Sequence, residues 1–96
     1  MLVHIFFVIL HTEMEEVETY FVDVMLPLHL PETYTYRVPR EYNGQVQAGV
    51  RVVVQFGQKR IYSALVRRVH TDAPRWRCKY IMGVLDLEPI VNILIY

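Results

Sequence analysis

The stretch "VRVVVQFGQKRIYSALVRRVH", residues 50–70, decides the fold. Its opening alternates: Arg51, Val53 and Gln55 fall on one face, Val52, Val54 and Phe56 on the other. A period of two with β-branched and aromatic residues on one side predicts a half-buried strand. The residues "GQKR" then turn the chain, and residues 61–70 resume a strand pattern, so the pair reads as a β-hairpin. Lys59 and Arg60 are expected at the hairpin tip. Strict alternation sends Arg67 and Arg68 to opposite faces of the second strand.

Working outward, "YFVDVML" (20–26) and "YTYRV" (34–38) read as two further strands, stopped by Pro27 and Pro39. Between them "PLHLPE" carries Pro27 and Pro31, which exclude a helix and predict an extended connection. "REYNGQVQAG" holds Asn43-Gly44 and Gly49 and reads as a loop with a tight turn. "TDAPRWR" is a loop, and "KYIMGVLD" (79–86) a last strand. Short strands, polar turns and no convincing amphipathic helix predict an all-β fold: a small five- or six-stranded sheet or partly open barrel with long loops.

The chain has 96 residues, enough for one small domain. Residues 1–19, apolar then glutamate-rich, read as a leader outside the domain; residues 20–88 read as the domain and 89–96 as a truncated or divergent tail. The apolar opening "MLVHIFFVIL" is too short to span a bilayer and lacks the basic n-region of a secretory signal. No membrane association is expected, and the single cysteine, Cys78, fits a reducing, cytoplasmic setting.

Formal net charge is zero, yet all ten basic residues lie between positions 37 and 79, where Glu41 and Asp72 are the only acids. That segment carries about +8 and the flanks are acidic, so neutrality is a cancellation between regions. Enzyme motifs are missing: neither GxxxxGK[ST] nor GxGxxG occurs. His4, His11, His29 and His70 lack metal-ligand spacing and read as surface or loop histidines. No catalytic or metal-binding residue is assigned, and Cys78 reads as an incidental thiol. The cations are interleaved with Tyr34, Tyr36, Tyr42, Phe56, Tyr62, Trp76 and Tyr80. Phosphates demand cations and every base offers a π-face, so this combination suits single-stranded nucleic acid, although it also describes an ordinary solvated sheet face.

Four motifs in order carry a family resemblance: PLxLP at 27–31, the aromatic-x-Tyr strand at 34–36 with its proline stop, GxRVxVxFG at 49–57, and VLDxEP at 84–89. From about Tyr20 to Asn92 the chain resembles the N-terminal DNA-binding domain of the PriA replication-restart helicases. The resemblance implies a non-enzymatic module that binds the 3′ end of a nascent strand at a stalled fork. Its partners would be DNA with a free 3′ end or forked DNA, the remaining helicase domains and other primosome proteins. It further implies a pocket for the terminal base and its 3′ hydroxyl, built here from Tyr34, Thr35, Gly57 and Lys79. Lys59 and Arg60 are added as DNA-binding cations.

The match departs from the family pattern in three places: Thr35 stands where some relatives have aspartate, Gln55 replaces a proline before Phe56-Gly57, and His29 replaces a proline in the PLxLP turn. Both proline losses predict looser loops around the pocket. Helicase motifs and zinc-binding cysteines are not in this sequence, so ATP and zinc would belong to the remainder of such a helicase, and the chain reads as an isolated domain, a fragment or a disrupted reading frame. The alternative is a protein-interaction β module that does not bind DNA. Within the inferred pocket, Tyr34 is assigned to DNA and Tyr36 to the structure.

Overall fold

The computed structural model describes residues 18–89. The leader and tail assignments fall almost wholly outside these residues, as do His4 and His11. One five-stranded antiparallel sheet forms, from β1 (Phe21–Met25), β2 (Tyr34–Arg37), β3 (Arg51–Phe56), β4 (Arg60–His70) and β5 (Gly83–Val84), in the order β2-β1-β4-β3-β5. The fold is all-β, as the strand patterns predict; among the described residues the only helical turn is a 3-10 turn at Arg40–Tyr42. No helix in this region is long and apolar enough to cross a membrane.

The hairpin forms with Phe56 opposite Arg60 and Val52 opposite Ala64. Gly57 opens its turn at φ 75°, a left-handed conformation that residues with a Cβ adopt at a cost. Alternation gives the sheet one apolar side. Val22, Val24 and Leu26 from β1 and its end pack with Tyr36 and Val38, Val50, Val52 and Val54, Ala64 and Val66, and Ile81. Seven of these are valines, whose branched side chains fit the pleated surface. Each contributes at most about 1.5–3 kcal/mol through burial.

Alternation fails at Arg67 and Arg68. Asp23 pairs with Arg68 and Val24 with Val66, so Arg67 is an extra residue in β4, a β-bulge. The bulge reverses the phase of the strand: Ala64 and Val66 point inward before it, and Val69 packs on the core after it. Arg67 Nη1 donates to Met25 Sδ and Arg68 Nε to Asp23 Oδ2. Met25 and Asp23 share the outer face of β1, so the two arginines emerge on one side, not on opposite sides as strict alternation requires. His70 follows them to the same face.

The last strand is shorter than the sequence predicts, because the segment from Lys79 divides its hydrogen bonds between the two ends of the sheet. Arg37 N–H donates to Lys79 O at 2.8 Å and Ile81 N–H to Arg37 O at 2.9 Å, a parallel bridge to β2. Met82 N–H and Leu85 N–H then donate to Val53 O and Arg51 O of β3. Only Gly83 and Val84 remain as β5. The sheet therefore curls until β2 and β3, which have β1 and β4 between them in hydrogen-bonding order, face one another. Across that gap Tyr36 Oη donates to Gln55 O at 2.7 Å. Arg51 and Asp86 fasten the opposite end: the guanidinium donates through Nε and Nη2 to both carboxylate oxygens, and Arg51 N–H adds a third bond. These bonds hold the Asp86 carboxyl below its usual range.

Candidate functional site

Curling the sheet leaves a cleft where the start of β2, the end of β3 and the loop before Lys79 converge. The cleft has a volume of about 240 Å³ and is lined by Tyr34, Thr35, Tyr36, Gln55, Phe56, Gly57 and Trp76 to Lys79. That is slightly below the range of about 300–1,000 Å³ for pockets that take drug-sized ligands, and suits one nucleotide terminus. All four residues of the inferred pocket, Tyr34, Thr35, Gly57 and Lys79, line it together. They come from three separate parts of the chain.

The two tyrosines of β2 have different environments. Tyr36 is buried, its hydroxyl committed to Gln55 O, and burial followed by the neighbouring Tyr34 pushes its ionisation above the ordinary value. Tyr34 is half-buried and meets Phe56 edge to face, with ring centroids 4.9 Å apart. Phe56 thus fixes the Tyr34 ring while leaving it at the cavity wall. Thr35 faces the other side of the strand, opposite Asp23. It still reaches the cleft because β2 has the extended segment before Lys79, not a fully paired strand, on its outer flank.

At the turn, Lys79 Nζ donates to Gly57 O at 2.8 Å. This bond ties the loop wall to the hairpin and places a cation at the rim. A Cβ built on Gly57 would meet nothing within 4 Å, so its positive φ, not crowding, is what calls for glycine, and the space beside it is open. Where the lost proline predicts a looser turn, Gln55 Nε2 donates to Gln58 O at 2.7 Å, a bond made within the turn itself.

Lys59 and Arg60 do not line this cleft. They sit at the hairpin tip beside a second hollow of about 500 Å³, lined also by Leu28, Phe56, Gly57, Gln58 and Tyr62. Phe56 and Gly57 line both hollows. Neither cation makes an ion pair with a described residue.

Trp76, Phe56 and Arg77 line the cleft although the sequence does not single them out as site residues. Trp76 and Phe56 do belong to the interleaved aromatic set, so the signal was present without a position attached to it. His70, read as a surface or loop histidine, is instead half-buried at the end of β4, stacked on Phe21 and bonded to Asp23. Cys78 is also part of the wall, and burial pushes its thiol up, the opposite of an activated nucleophile. Among the described residues no three His, Cys, Asp or Glu side chains gather into a metal site.

A family model described as the 3′ DNA-binding domain (3′BD) of PriA matches residues 23–94. The chain belongs to that family. It is a DNA-binding module, and the cleft between β2 and the β3–β4 turn lies wholly within the matched residues. Two of the motifs that resemble PriA shape the cleft, Tyr34–Tyr36 as one wall and Phe56-Gly57 as the turn, while Asp86 of VLDxEP clamps Arg51 at the other end of β3. No curated protein matches the chain.

Proposed function

We propose that this 3′BD captures the 3′ end of a nascent strand at a stalled replication fork, as the end-reading part of a replication-restart helicase. The observation that carries the reading is the convergence of Tyr34, Thr35, Gly57 and Lys79 on one cavity sized for a single terminus. Tyr34, steadied by Phe56, stacks on the terminal base; the open space beside Gly57 admits the sugar; Lys79 attracts the strand electrostatically. Thr35 contacts the terminal hydroxyl.

The hollow at the hairpin tip, which shares Phe56 and Gly57 with the cleft, suits the preceding nucleotide, with Lys59 and Arg60 on its phosphates and Tyr62 in its wall. No step of catalysis is assigned to this module, and ATP and zinc are cofactors for other parts of such a helicase. Its partners are forked or 3′-ended DNA, the remaining helicase domains and other primosome proteins, and its setting is cytoplasmic.

The test is Tyr34→Ala measured by fluorescence anisotropy on a short single strand ending in a 3′ hydroxyl. Losing one stacked base costs about 1–3 kcal/mol, so affinity is expected to fall about 5- to 150-fold while the melting profile stays cooperative. Wild-type affinity in a folded Tyr34→Ala protein would overturn the reading.

A further inference from the structure

We propose that Asp23, a residue of β1 that does not line the cleft, makes it selective for a terminal hydroxyl by fixing Thr35 as a hydrogen-bond acceptor. The proposal rests on the cleft being the site of the 3′ terminus, and it adds a positioning residue from a strand outside the cleft.

A threonine hydroxyl has one proton and two lone pairs, and the direction of its proton decides which partner it can serve. Here Thr35 Oγ1 donates to Asp23 Oδ1 at 2.7 Å, a length typical of a bond to a charged carboxylate. Asp23 is set up to keep that proton. Arg68 Nε donates to Oδ2 at 3.2 Å and His70 Nε2 lies 3.0 Å from Oδ1. The histidine tautomer follows from its other nitrogen: Asp72 N–H donates to His70 Nδ1 at 3.1 Å, so Nδ1 carries no proton and Nε2–H is the donor to Asp23. Burial alone would raise the Asp23 carboxyl, but the bonds from Thr35 and His70, with the charge of Arg68, bring it below its usual value. The carboxylate is thus ionised, with three donors converging on it and no proton to give back.

Thr35 consequently offers only lone pairs to anything else within reach. A 3′ hydroxyl has a proton to donate and completes the chain strand–Thr35–Asp23. A 3′ phosphate is largely dianionic at neutral pH and has no proton for Thr35, and it also meets the carboxylate charge behind the hydroxyl. The discrimination matters because Lys79 stands at the same cleft and, acting alone, would favour the phosphate. The bulge at Arg67 is what makes the arrangement possible: it turns Arg68 and His70 onto the face of β4 that looks at Asp23.

The experiment compares 3′-hydroxyl, 3′-phosphate and 3′-fluoro strands of one sequence on the wild type, Asp23→Ala, Asp23→Asn, Thr35→Val and the Asp23→Ala/Thr35→Val pair. The wild type is expected to prefer hydroxyl over both other ends. Thr35→Val and Asp23→Ala should each lower the hydroxyl-over-phosphate ratio about 3- to 10-fold, one hydrogen bond's worth. The pair should fall no further than Thr35→Val, the sign of two residues acting through one interaction. Asp23→Asn keeps an oxygen for Thr35 and His70 and should retain most of the ratio. Strong binding of the 3′-fluoro strand by the wild type would overturn the acceptor assignment without recourse to any variant. An undiminished ratio in Asp23→Ala, or additive losses in the pair, would overturn the role of Asp23 while leaving the cleft reading standing. Absence of any end preference in the wild type would instead defeat the cleft reading itself.

Discussion

Replacing Tyr36 by phenylalanine separates structure from recognition in the two tyrosines of β2. The ring is buried and stays so in the variant; what is lost is the hydroxyl that bonds Gln55 O at 2.7 Å and ties β2 to β3 across the curled sheet. One such bond contributes about 1 kcal/mol net, and a deprived carbonyl adds to the cost where water cannot reach it. In a domain of this size about 1 kcal/mol lowers Tm by about 4–8 °C. Thermal melts of both proteins, followed by far-ultraviolet circular dichroism, measure the shift.

The alkaline limb offers an internal check. Because the folded-state ionisation of Tyr36 is raised, its contribution to stability is complete below the unfolded value of about 10 and is lost as pH rises through the higher folded value. Tyr36→Phe should lack that part of the alkaline destabilisation. Binding of a 3′-ended strand, measured well below Tm, should change less than twofold. An unchanged Tm, or a loss of binding as large as that from Tyr34→Ala, would refute the division of labour between the two rings.

Other outcomes follow from the same geometry. Asp23 and Asp86 both ionise below their usual range in the fold, so their stabilisation is present above the unfolded value of about 3.9 and is lost as pH falls through the lower folded values. Acid titration of Tm should show this decline, with a smaller decline in Asp86→Asn. Cys78 should be alkylated slowly at neutral pH, with a rate midpoint above the ordinary thiol range, and a 3′-hydroxyl strand should slow it further; equal rates with and without DNA would remove Cys78 from the bound surface. Lys59→Gln and Arg60→Gln should each reduce the slope of log affinity against log salt by about 0.7 on a single strand, and unchanged slopes would take the hairpin tip out of the DNA path.

Much of this architecture is legible in the chain. Alternation in residues 50–56 specifies which valines are buried, and Gly57 to Arg60 marks the turn, because both signals are local. Arg67-Arg68 defeats the same reasoning. A bulge is recognised only against its partner strand, and nothing within "LVRRV" says that Val24 will pair with Val66 while Asp23 pairs with Arg68. The segment from Lys79 reads as one strand because its composition is strand-like, but its hydrogen bonds are shared between β2 and β3, and only Gly83 and Val84 stay in a regular ladder.

The site divides in the same way. Tyr34, Thr35, Gly57 and Lys79 are reached through motif resemblance. The Asp23–His70 contact spans 47 positions, and Trp76 sits in a loop with no periodicity, so neither announces its place in the sequence. Tyr34 and Thr35 point to opposite faces of β2 and still share a cavity, because the cavity lies at the flank of the strand and not on either face.

Trp76 is the only tryptophan in the chain and lies exposed on the wall of the cleft, so its emission reports occupancy directly. The decisive measurement is a titration of that emission with two strands of identical sequence, one ending in a 3′ hydroxyl and the other in a 3′ phosphate. Saturable quenching at lower concentration by the hydroxyl-ended strand is predicted. Superimposable curves for the two strands would contradict recognition of the 3′ end in this cleft.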